Sequence, residues 1–137
     1  STGSSDDQKN FINFNKLKKF IKLNNLENHY KYLGIIPYNE LLSFMYHSIG
    51  IINPSKFEGR SSTVEQGKAI GKKIILSNLN IHKEQNPDRG IYFNPNDYIV
   101  LSKILSNEYK KFNTSKEVKF INSAYSKSNK NLYNYYK

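Results

Sequence analysis

No apolar stretch in this chain outlasts a handful of residues before a turn-forming residue interrupts it. The longest, Ile49-Gly50-Ile51-Ile52, ends at Asn53-Pro54, and a residue before proline is held extended. Runs this short fall well below the roughly 18 apolar residues of a membrane span. They read as buried strands set between longer segments of helical period. Strands are expected at residues 29–33, ending at Gly34, and at 49–53, 73–76 and 90–93. Helices are expected at about 13–24, where Phe14, Leu17, Phe20 and Ile21 share a face, and after Pro37 on Leu41, Leu42 and Met45. A short helix is expected over about 63–70, with Gly71 placed for a left-handed cap. Asn94-Pro95-Asn96-Asp97 reads as a turn that also caps a helix carrying Val100, Leu101, Ile104 and Leu105.

Strands alternating with helices give an α/β fold, a Rossmann-like parallel sheet flanked by helices. The chain opens in a polar turn and a helix, whereas a crossover helix normally has a strand on each side. It therefore reads as a domain over 1–112 whose first strands are missing. A last helix over about 115–136, within a C-terminal segment 113–137, carries Val118, Ile121, Tyr125, Leu132 and Tyr136. Its aromatic tail, with Tyr133 and Tyr135, is expected to pack toward another domain.

The net charge is +10, and only two of the 21 Lys and Arg residues are Arg: Arg60 and Arg89. Readers of bases and phosphates favour the arginine fork, and the lysines are spread along the chain. A solvated surface is the expected reading, with no specific nucleic acid and a weak peripheral attraction to anionic membranes as the residual one. Cysteine is absent, so neither disulfides nor thiolate metal sites can form. His29, His47 and His82 lack metal-ligand spacing. No leader pattern follows Ser1, so a cytoplasmic protein is expected.

The chemistry concentrates after the strand at 49–53. In parallel sheets ligands bind at the carboxyl ends of strands, often against a helix N-terminus. Here that loop holds Glu58, Gly59, Arg60, Ser61, Ser62, Thr63 and Glu65. The Ser-Ser-Thr run offers hydroxyls and N–H groups to an anion. Two carboxylates can each accept paired hydrogen bonds from vicinal hydroxyls. The alternative is local: Ser62 and Glu65 have capping-box spacing, which requires no ligand. Arg60 either meets phosphate or lies in solvent. His82 reads as a surface or turn residue in a loop, and Glu84 as a structural residue.

Several segments, in order, resemble the retaining GT-B glycosyltransferases of glycosyltransferase family 4. They are Leu33-Gly34-Ile35-Ile36-Pro37-Tyr38-Asn39-Glu40-Leu41, Asn53-Pro54-Ser55-Lys56-Phe57-Glu58-Gly59 and the stretch from Val64-Glu65-Gln66-Gly67 to Ile74-Ile75-Leu76-Ser77. Ile81-His82-Lys83-Glu84-Gln85 and Gly90-Ile91-Tyr92-Phe93-Asn94-Pro95 continue the series. The resemblance implies the C-terminal, donor-binding half of such an enzyme, inactive alone. It implies that Glu58, the catalytic-site residue, meets the donor sugar, that Glu65 holds the ribose diol, and that Gly59 to Thr63 meet phosphates or sugar. Gly34, Ile35, Ile36 and Pro37 would line the nucleobase. The donor would be a UDP-, GDP- or ADP-linked sugar, with no cofactor and no metal, and a glycan or lipid-linked acceptor would sit on the missing domain. The spacing between Glu58 and Glu65 is one residue shorter than the family's commonest pattern, and it fits a subgroup with a serine-threonine run. Two rival functions are a basic module for nucleic acid or anionic surfaces and a hydrolase using Glu58 and Glu65. The latter needs a glutamate with a raised pKa in an apolar pocket.

Overall fold

A computed structural model describes residues 8–119, 121–123 and 126, with side chains from residue 12 onward. The chain divides into two compact units, Ser1–Ser43 and Phe44–Lys137.

In the first unit, α1 (Gln8–Leu23) buries Ile21 and sets Phe14 against Tyr32, with ring centroids 4.2 Å apart. Its flank carries Lys18, whose Nζ lies 4.5 Å from the Phe14 ring centre. The expected strand at 29–33 does not form. The amides of His29 and Tyr30 both donate back to the Leu26 carbonyl, at 2.9 and 3.0 Å, so the chain spends them on a turn. An alternating pattern makes a strand only when a neighbouring strand accepts its backbone groups. Gly34 then takes a left-handed φ of +66°, which glycine tolerates without strain. Directly after Pro37 comes α2 (Tyr38–His47), as its position near a helix start predicts.

The second unit is built on a sheet in which β1 (Ile51–Asn53), β2 (Ile74–Ser77) and β3 (Gly90–Phe93) run parallel in the order β1-β2-β3. Register pairs Ile51 with Ile74 and Ile74 with Gly90. All four residues of the central strand are buried, three of them apolar, as expected of a parallel strand covered on both faces. Between β1 and β2 runs α3 (Ser62–Ala69), and between β2 and β3 runs α4 (Asn80–Gln85). The two helices contact one another. Gly67 lets α3 sit low: a Cβ there would come within 2.7 Å of the Ile74 Cδ1 and 2.9 Å of the Ile51 Cδ1. Val64, from the same helix, is fully buried. Gly71, with φ +64°, ends α3 as expected. The mixed α/β character and the small open parallel sheet flanked by helices thus hold.

Asp97 caps α5 (Tyr98–Lys111), its Oδ1 accepting the Val100 N–H at 2.9 Å. The apolar side of α5 is only half-buried at Leu101, Ile104 and Leu105, and Glu108 pairs with Lys73. Residues 114–119 and 121–123 are helical, in line with the expected last helix. Tyr125, Leu132, Tyr133, Tyr135 and Tyr136 lie outside the described residues. Among the described residues no helix is long and apolar enough to cross a membrane.

That last helical stretch is held by charge as well as by Ile121, which is buried. Glu117 accepts two hydrogen bonds from Arg89, at 3.0 and 2.8 Å, and lies 3.3 Å from Nζ of Lys72, a lysine with a 1% exposed side chain. Lys72 also donates to the Tyr46 carbonyl at 2.8 Å, and Arg89 to the Gly71 carbonyl at 3.0 Å. Burial opposes ionisation of Glu117, but the Arg89 hydrogen bonds and the Arg89 and Lys72 charges outweigh it. Its carboxyl stays below the ordinary 4.5. Burial dominates at Lys72 and lowers its pKa despite Glu117. Removing one partner of a buried pair strands the other charge. Glu117→Gln is therefore expected to lose about 3–5 kcal/mol in urea unfolding at neutral pH. Because the folded value is depressed, the Glu117 contribution is complete above the unfolded carboxyl range and fades as pH falls through the folded one. The deficit of Glu117→Gln should therefore narrow in acid.

Candidate functional site

Asn53 ends β1 with its side chain turned inward, 8% exposed. Its Nδ2 donates to Ser61 Oγ at 2.8 Å, and its Oδ1 accepts the Ser55 N–H at 3.3 Å. The Ser55 carbonyl in turn accepts the Ser77 hydroxyl at 2.5 Å, from the end of β2. Ser61 caps α3, its Oγ accepting the Val64 N–H. The loop leaving β1 is thus pinned at both ends, and its tip is pushed outward. Phe57 at that tip is 89% exposed.

Glu58 lines an open hollow of about 590 Å³ with Lys56, Phe57, Glu84 and residues 78–81. Glu65 is not among the lining residues. It stands in the first turn of α3, with Oε1 accepting from Gln85 Nε2 at 2.9 Å and from Arg60 at 3.3 Å. Lys68 lies 3.5 Å from Oε2. The Gln85 hydrogen bond is the main reason its carboxyl is held below the ordinary value. Partial burial works against it, and the Lys68 and Arg60 charges add to it. A carboxylate so held is a hydrogen-bond acceptor and a poor proton donor, which weighs against a hydrolase built on this pair.

The structure gathers Glu58 to Glu65 at the carboxyl edge of the sheet but divides their work. Ser61 faces inward, 2% exposed, with its amide donating to Gln85 Oε1 at 3.3 Å. As the first two residues of α3, Ser62 and Thr63 have N–H groups with no intrahelical acceptor. The capping box expected at Ser62 and Glu65 is absent: Ser61 is the cap, and Glu65 turns to Gln85. Gly59 has open space where a Cβ would stand. Arg60, 75% exposed in its side chain, pairs with Glu65. Gly34, Ile35, Ile36 and Pro37 belong to the other unit, where Ile35 is 76% exposed.

His82 is not a loop residue at the surface. It lies in α4, fully buried, because β2 ends one turn earlier and 80–85 closes into a helix. Its Nδ1 is 2.8 Å from the Ser77 carbonyl. A carbonyl only accepts, so Nδ1 carries the hydrogen and Nε2 is left buried without a hydrogen-bond partner. Glu84, on the exposed side of α4, faces the hollow. Asn53 and Gln85 escaped the sequence reading. The signal for Gln85 was its spacing of three from His82, which on a helix puts both on one face.

No family model, curated protein or solved structure matches the chain.

Asn53→Ala would leave Ser61 Oγ and the Ser55 amide without their partner. The expected loss is about 1–3 kcal/mol of stability, with faster amide hydrogen exchange at Ser55 and Val64 than elsewhere in the second unit. Exchange rates equal to those of the unaltered chain would show that the pin carries no load.

Proposed function

We propose that the chain binds a nucleotide-sugar as the donor-binding part of a retaining glycosyltransferase, acting in the assembly of a glycan or glycoconjugate. The observation that carries the reading is a Glu65 carboxylate held in its charged form in the first turn of α3, on the helix that follows the loop in which Glu58 lines an open hollow after the end of β1. The ordered resemblance to glycosyltransferase family 4 supplies the chemical class.

The ligand would lie extended across these places. Its sugar enters the hollow, where Glu58 accepts from ring hydroxyls. The diphosphate crosses the N–H groups of Ser62 and Thr63, favoured there by the positive end of the helix. The ribose diol donates to Glu65. Arg60 has an exposed, screened pairing with Glu65 worth no more than about 1 kcal/mol, so it is readily released to the phosphates. In the transfer the bond from anomeric carbon to diphosphate oxygen breaks, one to an acceptor hydroxyl oxygen forms on the same face, and the hydroxyl proton passes to the departing nucleoside diphosphate. The acceptor would be held by a further domain. The basic character of the chain adds a long-range attraction for an anionic donor.

Titration with UDP, GDP and ADP, followed by amide NMR, tests the reading. Shifts should centre on residues 58–65 for one of the three, and Glu65→Ala should weaken that binding by about tenfold, or 1.4 kcal/mol. Glu58→Gln should spare the nucleotide and weaken its sugar-linked form. Silence across residues 58–65 with all three nucleotides would sink the proposal.

A further inference from the structure

We infer that Gln85 is the positioning residue of this donor site, the group that fixes Glu65 for a ribose diol and seats the first turn of α3. The inference rests on the donor-site reading and adds to it a residue from a different element, α4.

The Gln85 side chain is 6% exposed and fully engaged. One Nε2 hydrogen goes to the Ser61 carbonyl at 2.9 Å and the other to Glu65 Oε1 at 2.9 Å. Its Oε1 accepts the Ser61 N–H at 3.3 Å. The orientation of the amide follows from these partners: rotated by half a turn, it would set oxygen against the Ser61 carbonyl and the Glu65 carboxylate. Ser61 thus selects which way the amide points, and the amide selects where Glu65 sits. Of the three groups on Glu65, Gln85 is the buried one. Arg60 and Lys68 have side chains 75% and 34% exposed, and such pairs hold a carboxylate loosely. Lys68 also donates to the Gln85 carbonyl, which ties the α4 backbone to the same carboxylate. A carboxylate offers about four acceptor positions. With Gln85 on one and Arg60 displaceable, Glu65 keeps room for two hydroxyl donors in a fixed direction. Capping α3 alone would need only the contacts with Ser61, so the bond to Glu65 is what marks positioning.

The test uses the full chain, whichever of UDP, GDP or ADP binds it, and the 2′-deoxy form of that nucleotide. The unaltered chain should prefer the ribose form by about tenfold, the worth of one hydrogen bond to a charged group. Gln85→Met keeps the volume and removes the hydrogen bonds. It should bring that preference to within about twofold. The Glu65 carboxyl carbon should also titrate at higher pH in Gln85→Met, whether or not nucleotide is present. An unchanged ribose preference together with an unchanged Glu65 titration would overturn the inference and leave the donor site standing. Failure of all three nucleotides to bind the unaltered chain removes the donor-site reading and the inference with it. If Gln85→Met does not fold, the side-chain amide resonances of Gln85 in the unaltered chain decide. They should follow the Glu65 titration and move on nucleotide binding, and resonances indifferent to both would overturn the inference.

Discussion

Desolvation of one serine organises the second unit. Ser61 sits where strand, loop and helix meet, and burial obliges each of its polar atoms to find a partner. Asn53 takes the hydroxyl from the strand side, Val64 from the helix side, and Gln85 brackets the amide and carbonyl from α4. Leaving any one of these unmade would expose the full desolvation penalty. The loop between β1 and α3 therefore has one way to close, and its exposed tip inherits its position from a buried residue.

A second constraint works at the other side of the sheet. Lys72 and Arg89 are drawn in by the strands they flank, and Glu117 pairs with both. Such triads add little net stability over well-packed apolar residues. Their value here lies in direction: a bidentate arginine accepts a carboxylate in one plane, so the segment after α5 docks at a set place. Two buried polar assemblies thus divide the labour, one shaping the loop between β1 and α3 and the other docking the segment after α5.

Much of this was legible in the residues. The strands expected at 49–53, 73–76 and 90–93 form at 51–53, 74–77 and 90–93, since short apolar runs with clear punctuation mark them, and Asp97 and Gly71 announced helix ends through their own chemistry. Failures came where a local signal depended on something distant. The alternation at 29–33 promised a strand, yet among the described residues no strand pairs with it, and the amides at 29 and 30 turned back to Leu26. His82 looked like a surface residue because polar side chains usually are, and only the closure of 80–85 into a helix carries it inward. Ser62 with Glu65 had the spacing of a capping box, but the boundary fell one residue earlier, and a one-residue shift on a helix turns a side chain by about 100°. Glu65 was thereby delivered to Gln85, a partner twenty positions away that spacing could not reveal.

The low seat of α3 has a mechanical consequence. With only a hydrogen atom at Gly67 separating the helix from Ile51 and Ile74, the height of α3 above the sheet is set by the girth of two isoleucines. The first turn of α3 and the hydrophobic interior are therefore mechanically coupled. Trimming Ile74 by a methyl group would let the helix settle, and its far end would carry Ser62, Thr63 and Glu65 along. The placing of that turn can thus be retuned from within, by substitutions at none of its own residues.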